Sequence, residues 1–325
     1  MVAQPVVSAQ ASASISSVSG NSFILNLAGS RSEGGNNAPV LYFIAPVEEL
    51  ANHKTGSNIW ANISYGDGEV DTVSGNNGFD YDSIQLNIGS DLYQNGRSLL
   101  GVFGSVQRVD SEVANIANVN SEQDNFQLGL YGKTAASEHL DLTLAGSLIY
   151  ARVDATRGTA SGDTHGFGYA LGAELSKKTP WRAYQGVEFS PYLSLQTATL
   201  GLRDYSETGA GAQRVINDSN SQFFSTVGMR VKKDYTAFGK KATPQGAVSY
   251  VREWLDEPAS SVSFPLGGGG STVATAPDVN DNYLRLDGSY AAELRDNLHA
   301  SLSYTGLHNN DVTDNLFGIS ARYTW

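Results

Sequence analysis

The sequence contains no cysteine, so disulfide frameworks and thiol chemistry are excluded as ways of holding the fold together or of doing catalysis. Its five histidines show no spacing typical of metal ligands, and without cysteine a structural zinc site has few donors to use. We therefore expect no metal site and no cofactor. The histidines are His53, His139, His165, His299 and His308.

The sequence also lacks an apolar run approaching the roughly 20 residues that a membrane-spanning helix requires. This excludes a helical membrane protein but leaves a membrane β-barrel open. In a barrel only every second residue faces lipid, and this dilutes the hydropathy to ordinary values such as the mean of −0.25 found here. The formal net charge of −12 argues against a nucleic-acid partner, which would require a basic stripe.

No secretion signal peptide is visible at the start of the chain. Met1 is followed by Val-Ala-Gln-Pro, and not by a basic region and an apolar core. If the protein is exported, we expect the printed chain to be a piece of a longer polypeptide.

The chain does contain a long alternating pattern, in which apolar residues recur at every second position from about residue 57 to the end. We count about twelve such segments of roughly ten residues or more, the length that a tilted strand needs to cross a bilayer. Residues 59–65 begin the series, and residues 317–325 end it. The pattern predicts an all-β fold, a transmembrane antiparallel up-and-down barrel. For the last segment alone, a half-buried strand of a soluble sandwich stays open.

Charged residues occupy the positions opposite the apolar ones in these segments. A charge on the lipid face at mid-depth would cost a few kcal/mol, so we expect these side chains to face the lumen. The lumen is then expected to be wet or filled by polar protein. The lumen candidates are Asp141, Glu188, Arg230, Arg285, Asp287 and Arg322.

The connections between segments are predicted to alternate in length. Residues 93–97 and 295–297 read as tight turns, whereas the stretch from 256 to 281 is long and polar. Short turns on one rim and long loops on the other are typical of an outer-membrane barrel. Residues 162–166 are predicted as a further loop, between segments five and six.

A short helix is predicted over residues 46–56, before the first strand. Pro46 suits the first helical position, and the acidic Glu48 and Glu49 suit the first turn, where the helix dipole favours negative charge. Gly56 is typical of a residue that ends a helix. A barrel of about twelve strands has a bore near the width of one helix, so this helix could plug the pore. Leu50 and Asn52 also belong to this predicted pore helix. The alternative is a surface helix of a passenger remnant.

The arrangement resembles the C-terminal translocator domain of an autotransporter, from the type V secretion pathway of Gram-negative bacteria. Residues 1–45 would be a passenger remnant or linker, residues 46–56 the pore helix, and residues 57–325 the barrel. In that family the last strand carries an assembly signal, a glycine followed by apolar or aromatic residues at alternate spacing. The ending of this chain is similar, although Ala321 is smaller than usual. The matching segment comprises Phe317, Gly318, Ile319, Ala321, Tyr323 and Trp325.

The resemblance implies a monomer that inserts into the outer membrane with help from the barrel assembly machinery. Its partners would be outer-membrane lipid, lipopolysaccharide and its own passenger, which it delivers to the cell surface. The long loops would be extracellular and the C-terminus periplasmic. No enzyme activity is expected. Some family members cut themselves at an Asn-Asn pair in the pore helix, but Asn36 and Asn37 lie upstream in a predicted loop. A porin or solute channel, or a twelve-stranded outer-membrane hydrolase, remains the alternative.

Overall fold

The computed structural model describes residues 58–72, 77–95, 98–177, 181–182, 186–217, 220–237, 239–254, 261–265, 271–275 and 281–325. The segment predicted as a pore helix lies outside these ranges, as do the predicted passenger remnant and the residues Glu48, Glu49, Leu50 and Asn52. Within the described ranges, no helix has the length and apolar character needed to cross a bilayer.

Twelve strands form one closed antiparallel barrel. Each strand pairs with its neighbours along the chain, and the last pairs with the first from Asn58↔Thr324 to Val70↔Val312. The predicted twelve-stranded barrel is confirmed. The strands are β1 (Asn58–Val70), β2 (Phe79–Asn95), β3 (Ser98–Val113), β4 (Val119–Ala135), β5 (Leu140–Arg157), β6 (Ala160–Lys177), β7 (Glu188–Leu202), β8 (Asn220–Lys232), β9 (Lys240–Glu253), β10 (Asn282–Arg295), β11 (Leu298–His308) and β12 (Val312–Thr324).

The outer face of the barrel carries a band of apolar residues on every one of these strands. Because successive side chains of a strand point to opposite faces, apolar residues face outward and polar residues face inward along the lower and middle parts of the strands. In β1 the side chains of Trp60 and Asn62 are buried, while Ile59 and Ile63 are about half exposed. Leu128 and Leu148 are the extreme cases, at 71% and 72% exposure. A continuous apolar surface of this kind is expected where hydrocarbon covers the wall.

The barrel has two rims. We call the rim that holds Asn58 and Thr324 the lower rim, and the opposite one the upper rim. The sorting of connections by length is only partly found. Residues 178–187 form a long connection at the lower rim, whereas Gly158 and Thr159 alone join β5 to β6 at the upper rim.

The loop prediction for residues 162–166 is wrong. These residues belong to β6 and pair with β5 through Asp154↔Asp163 and its neighbours. The two strands therefore continue upward through polar sequence, because backbone pairing satisfies their N–H and C=O groups whether or not the side chains are apolar.

The two longest upper connections fold into a small four-stranded sheet. Strand Tyr205–Ser206 pairs with Arg214–Asn217, which pairs with Ser261–Pro265, which in turn pairs with Ser271–Thr275. Thr208 and Ser161 exchange two backbone hydrogen bonds of 2.7 and 2.9 Å, so this upper sheet is attached to the top of β6.

Candidate functional site: the barrel lumen

The side chains that face the lumen change character from the lower rim to the upper rim. Along β2 the inward positions run from Asp91 at the lower end, through Asn87 and Gln85, to Tyr81 and Phe79 at the upper end. The same order, from charge to amide to apolar group, is found along β7. We call these the lower, middle and upper layers.

A buried ion pair dominates the lower layer on the side of β6 to β8. Arg230 donates hydrogen bonds of 2.7 and 2.5 Å to the two carboxylate oxygens of Glu174, and each side chain is 4% exposed. The guanidinium also lies 3.7 Å from the ring centroid of Tyr192. A bidentate arginine–carboxylate pair away from water is strong only because both partners are present, since each charge alone carries a large desolvation cost.

Further opposite charges meet across the lower layer. Each of the following pairs joins different strands, and all of their side chains are at most 9% exposed. They are Lys133–Asp141 at 3.1 Å, Lys232–Glu188 at 3.4 Å and Arg322–Asp91 at 3.7 Å.

The remaining two lumen candidates lie together on one strand. Arg285 and Asp287 form a 3.1 Å pair on β10, at the height of the middle layer. The structure thus places all six candidates on the inner face, each beside an opposite charge. Sequence reasoning missed the partners Lys133, Lys232 and Asp91. All three fall on inward positions of the alternation, which is the signal that would have found them.

Aromatic rings in the lower layer occupy the space beside glycines of neighbouring strands. Tyr131 covers Gly101, where an added Cβ would come within 2.2 Å of the tyrosine ring. Tyr131 also accepts a 2.8 Å hydrogen bond from the indole of Trp60 and donates one of 2.5 Å to Asp91. Because the ring needs the space that glycine leaves, this network ties β1 to β4 in one register. Equivalent contacts are Trp60 on Gly89, Phe103 on Gly129 and Tyr192 on Gly228.

The middle layer on the wall of β1 to β4 consists of neutral amides that bond to one another. Asn87 donates to Asn62 at 3.1 Å, and Gln85 donates to Asn87 at 3.1 Å and to Ser105 at 2.9 Å. Asn125 donates to Gln107 at 3.1 Å. Such side chains both donate and accept, so this surface offers hydrogen bonds to any polypeptide backbone without selecting its sequence.

The upper layer is apolar, which differs from the polar lumen expected throughout. Val215, from the connection between β7 and β8, packs into it from above. The difference arises because the alternation inverts near the upper rim. In β5 the charged side chains of Arg152 and Asp154 are 58% and 49% exposed on the outer face, while Val153 between them is fully buried. The buried cluster comprises Val70, Phe79, Tyr81, Val109, Ala151, Val153, Ala155, Leu200, Leu202, Val215, Phe224, Val251, Tyr283, Leu307 and Val312.

An ion pair and several hydrogen bonds attach the upper sheet to the barrel beside this cluster. Arg157 of β5 contacts Glu207 at 2.5 Å and donates a 2.9 Å hydrogen bond to the carbonyl of Gly211. Glu207 also accepts a 3.0 Å hydrogen bond from the backbone N–H of Gln213. Burial raises the pKa of the neighbouring Tyr205 phenol, and the Glu207 carboxylate raises this pKa further. The tyrosine therefore stays neutral and packs beside the apolar cluster.

The sequence matches the family model described as the autotransporter β-domain over residues 59–305. This chain belongs to the autotransporter β-domain family. No curated protein matches the sequence.

Solved autotransporter structures share the barrel of this β-domain. The translocator domain of the autotransporter NalP from Neisseria meningitidis has a TM-score of 0.68 at 13% identity, covering 85% of this chain and 91% of that solved domain. The β-domain of the Bordetella autotransporter BrkA has a TM-score of 0.62 at 14% identity, covering 83% and 100%. The transport unit of AIDA-I from Escherichia coli has a TM-score of 0.60 at 13% identity, covering 95% and 98%. At these identities the likeness shows the fold.

The predicted assembly signal of the β-domain lies on β12, where the barrel closes, and on Trp325, the residue after this strand. Phe317, Ile319, Tyr323 and Trp325 are exposed on the outer face, and Ala321 shares that face. Gly318 faces the lumen and pairs with Ser64 of β1. The aromatic end thus points to where lipid would lie.

Within the part of the β-domain that the structure describes, no group of three or more His, Cys, Asp or Glu side chains is arranged to hold a metal ion.

Proposed function

We propose that this β-domain is the outer-membrane translocator of an autotransporter and supports export of its own N-terminal passenger to the cell surface. The observation that carries this proposal is the family match over most of the barrel, residues 59–305. A translocator is not an enzyme in general, and self-cleavage remains unexpected because Asn36 and Asn37 precede the predicted pore helix.

The orientation is part of the proposal. We assign the lower rim to the periplasm and the upper rim, with the long connection of residues 254–281, to the exterior. Because β1 begins at the lower rim, a passenger upstream of Asn58 joins the wall on the periplasmic side. It can reach the surface only by crossing the barrel.

The lumen offers a physical route for such a crossing. Opposite charges in the lower layer neutralise one another, and the amides of the middle layer can exchange hydrogen bonds with a passing backbone. Neither layer selects one passenger sequence. The apolar upper layer gives less support to a passive channel for polar solutes, because a polar solute would find few hydrogen-bond partners there.

The remaining assignments are proposals drawn from the family. The outer face would contact outer-membrane lipid and lipopolysaccharide, and the barrel assembly machinery would insert the monomer using β12. Residues 1–45 would be the passenger remnant, residues 46–56 the pore helix and residues 57–325 the translocator. A planar-bilayer conductance that did not rise on deletion of residues 1–56 would contradict the pore helix.

Export is tested by placing a peptide tag at residue 45, behind a cleavable secretion signal, in a Gram-negative host. We expect antibody to label this tag on intact cells, because the barrel carries it to the surface. Matched tags report the two rims: one within residues 255–260 should be labelled, and one between Asp296 and Asn297 should be protected. Labelling of the 255–260 tag without labelling of the tag at residue 45 would mean that the barrel inserts but does not export.

A further inference from the structure

The wall of the barrel splits at the lower rim between β6 and β7. These strands pair from Gly166↔Leu202 down to Ser176↔Tyr192. Below that point β7 pairs instead with the two residues Trp181 and Arg182. Pro191, which has no N–H to donate, lies at this split, in keeping with the preference of strand prolines for edges and irregular positions.

A cavity of about 690 Å³ lies at the split. Three leucines on its lining also belong to the outer face, where each is about 40% exposed, so the cavity is continuous with the lipid-facing surface. A lysine and a histidine lie at its lower end. We call it the rim notch, and its lining includes His139, Leu140, Leu175, Lys177, Pro191 and Leu193.

The charge in the rim notch is of one sign. The Lys177 ammonium lies 4.2 Å from the ring centroid of Trp181, which holds it at the rim by a cation–π contact. No carboxylate lines the notch, and among the described residues no acidic side chain forms an ion pair with Lys177. In the sequence, the residues next to the lining carry charges of both signs, Lys178 after Lys177 and Glu138 before His139. Tryptophan and lysine together are typical of the membrane–water interface.

We propose that the rim notch binds one anionic phospholipid of the leaflet at the lower rim. Its acyl chain would lie on the leucines, and its phosphate would lie beside Lys177. A free phosphate ion has no apolar part, so it would make no favourable contact with the three leucines. An uncharged lipid surface would gain nothing from an unneutralised lysine, whereas basic side chains at the headgroup level attract anionic lipids.

The test is native mass spectrometry of the whole chain in detergent with equimolar phosphatidylglycerol and phosphatidylcholine of identical acyl chains. We expect one phosphatidylglycerol to be retained in preference to phosphatidylcholine. Lys177→Gln should weaken retention of phosphatidylglycerol about fivefold and leave phosphatidylcholine unchanged. Lys233→Gln is the matched control, because it removes the same charge from the lower rim between β8 and β9, outside the notch.

A second variant tests the apolar part independently of charge. Leu175→Trp should fill the notch and weaken retention of both lipids, while heat-dependent gel mobility verifies that each variant is folded. Equal retention of the two lipids by the unaltered chain would overturn the proposal. So would equal losses in Lys177→Gln and Lys233→Gln, or displacement of the lipid by inorganic phosphate, which would reveal a site for a free anion.

Discussion

Replacing Arg230 by methionine is expected to lower the free energy of unfolding by about 3–5 kcal/mol, the usual cost of leaving a buried charge without its partner. Glu174 would lose both hydrogen bonds of the bidentate pair while staying in a site where it is only 4% exposed. Tyr192 would also lose the guanidinium that lies over its ring. Equilibrium unfolding by urea or guanidinium in lipid vesicles, followed by tryptophan fluorescence, measures the effect.

Two comparisons separate the buried charge from loss of packing. The double variant Arg230→Met with Glu174→Gln should recover much of the stability, because no unpaired charge remains. Arg152→Met breaks the Arg152–Asp154 pair, whose side chains are 58% and 49% exposed, and should cost less than about 1 kcal/mol. The account would be contradicted by a double variant no more stable than the single variant.

Gly101→Ala is expected to destabilise the barrel by about 1–3 kcal/mol, the range for forcing an extra carbon into a packed interior. The new Cβ would lie 2.2 Å from the Tyr131 ring, so the ring must leave the wall of β3. Its movement would break the hydrogen bonds that link Tyr131 to Trp60 and Asp91. The same unfolding measurement applies, and heat-dependent gel mobility reports the fraction of folded barrel.

Gly104→Ala is the control on the same strand. A Cβ there would find its nearest neighbour at 3.8 Å, an ordinary contact, so stability should change little. Combining Gly101→Ala with Tyr131→Leu removes the clash, so the double variant should cost less stability than the two single variants added together. Equal losses in Gly101→Ala and Gly104→Ala would mean that the ring contact has no special role.

The strands and the two faces could be predicted from the sequence because every strand of a membrane barrel obeys the same rule. At mid-depth each outward position must be apolar and each charge must point inward, so positions such as Leu148 and Asp287 report their face without knowledge of their neighbours. Residues 162–166 show the limit of this rule. They are polar and glycine-rich, as a loop would be, yet backbone pairing with β5 keeps them in the sheet.

The contents of the lumen could be predicted only in part. An inward charge is visible in the alternation, but its partner depends on which strands meet across the barrel, as for Arg322 of β12 and Asp91 of β2. The apolar upper layer could not be foreseen either. Val109 and Val153 lie inward beside polar neighbours, and only the closed sheet brings them together with Val215 from a distant connection.

The most direct test of the central claim, that lipid covers the outer wall while the inner wall is shielded from it, uses single cysteines in this naturally cysteine-free chain. A spin label at Leu148→Cys, on the 72% exposed outer position, is compared in bilayers with one at Ser147→Cys, on the 6% exposed inner position. The account predicts that lipid-soluble oxygen relaxes the label at 148 strongly and the label at 147 weakly, while a water-soluble nickel complex barely reaches position 148. Strong relaxation of the label at 148 by the nickel complex would contradict it.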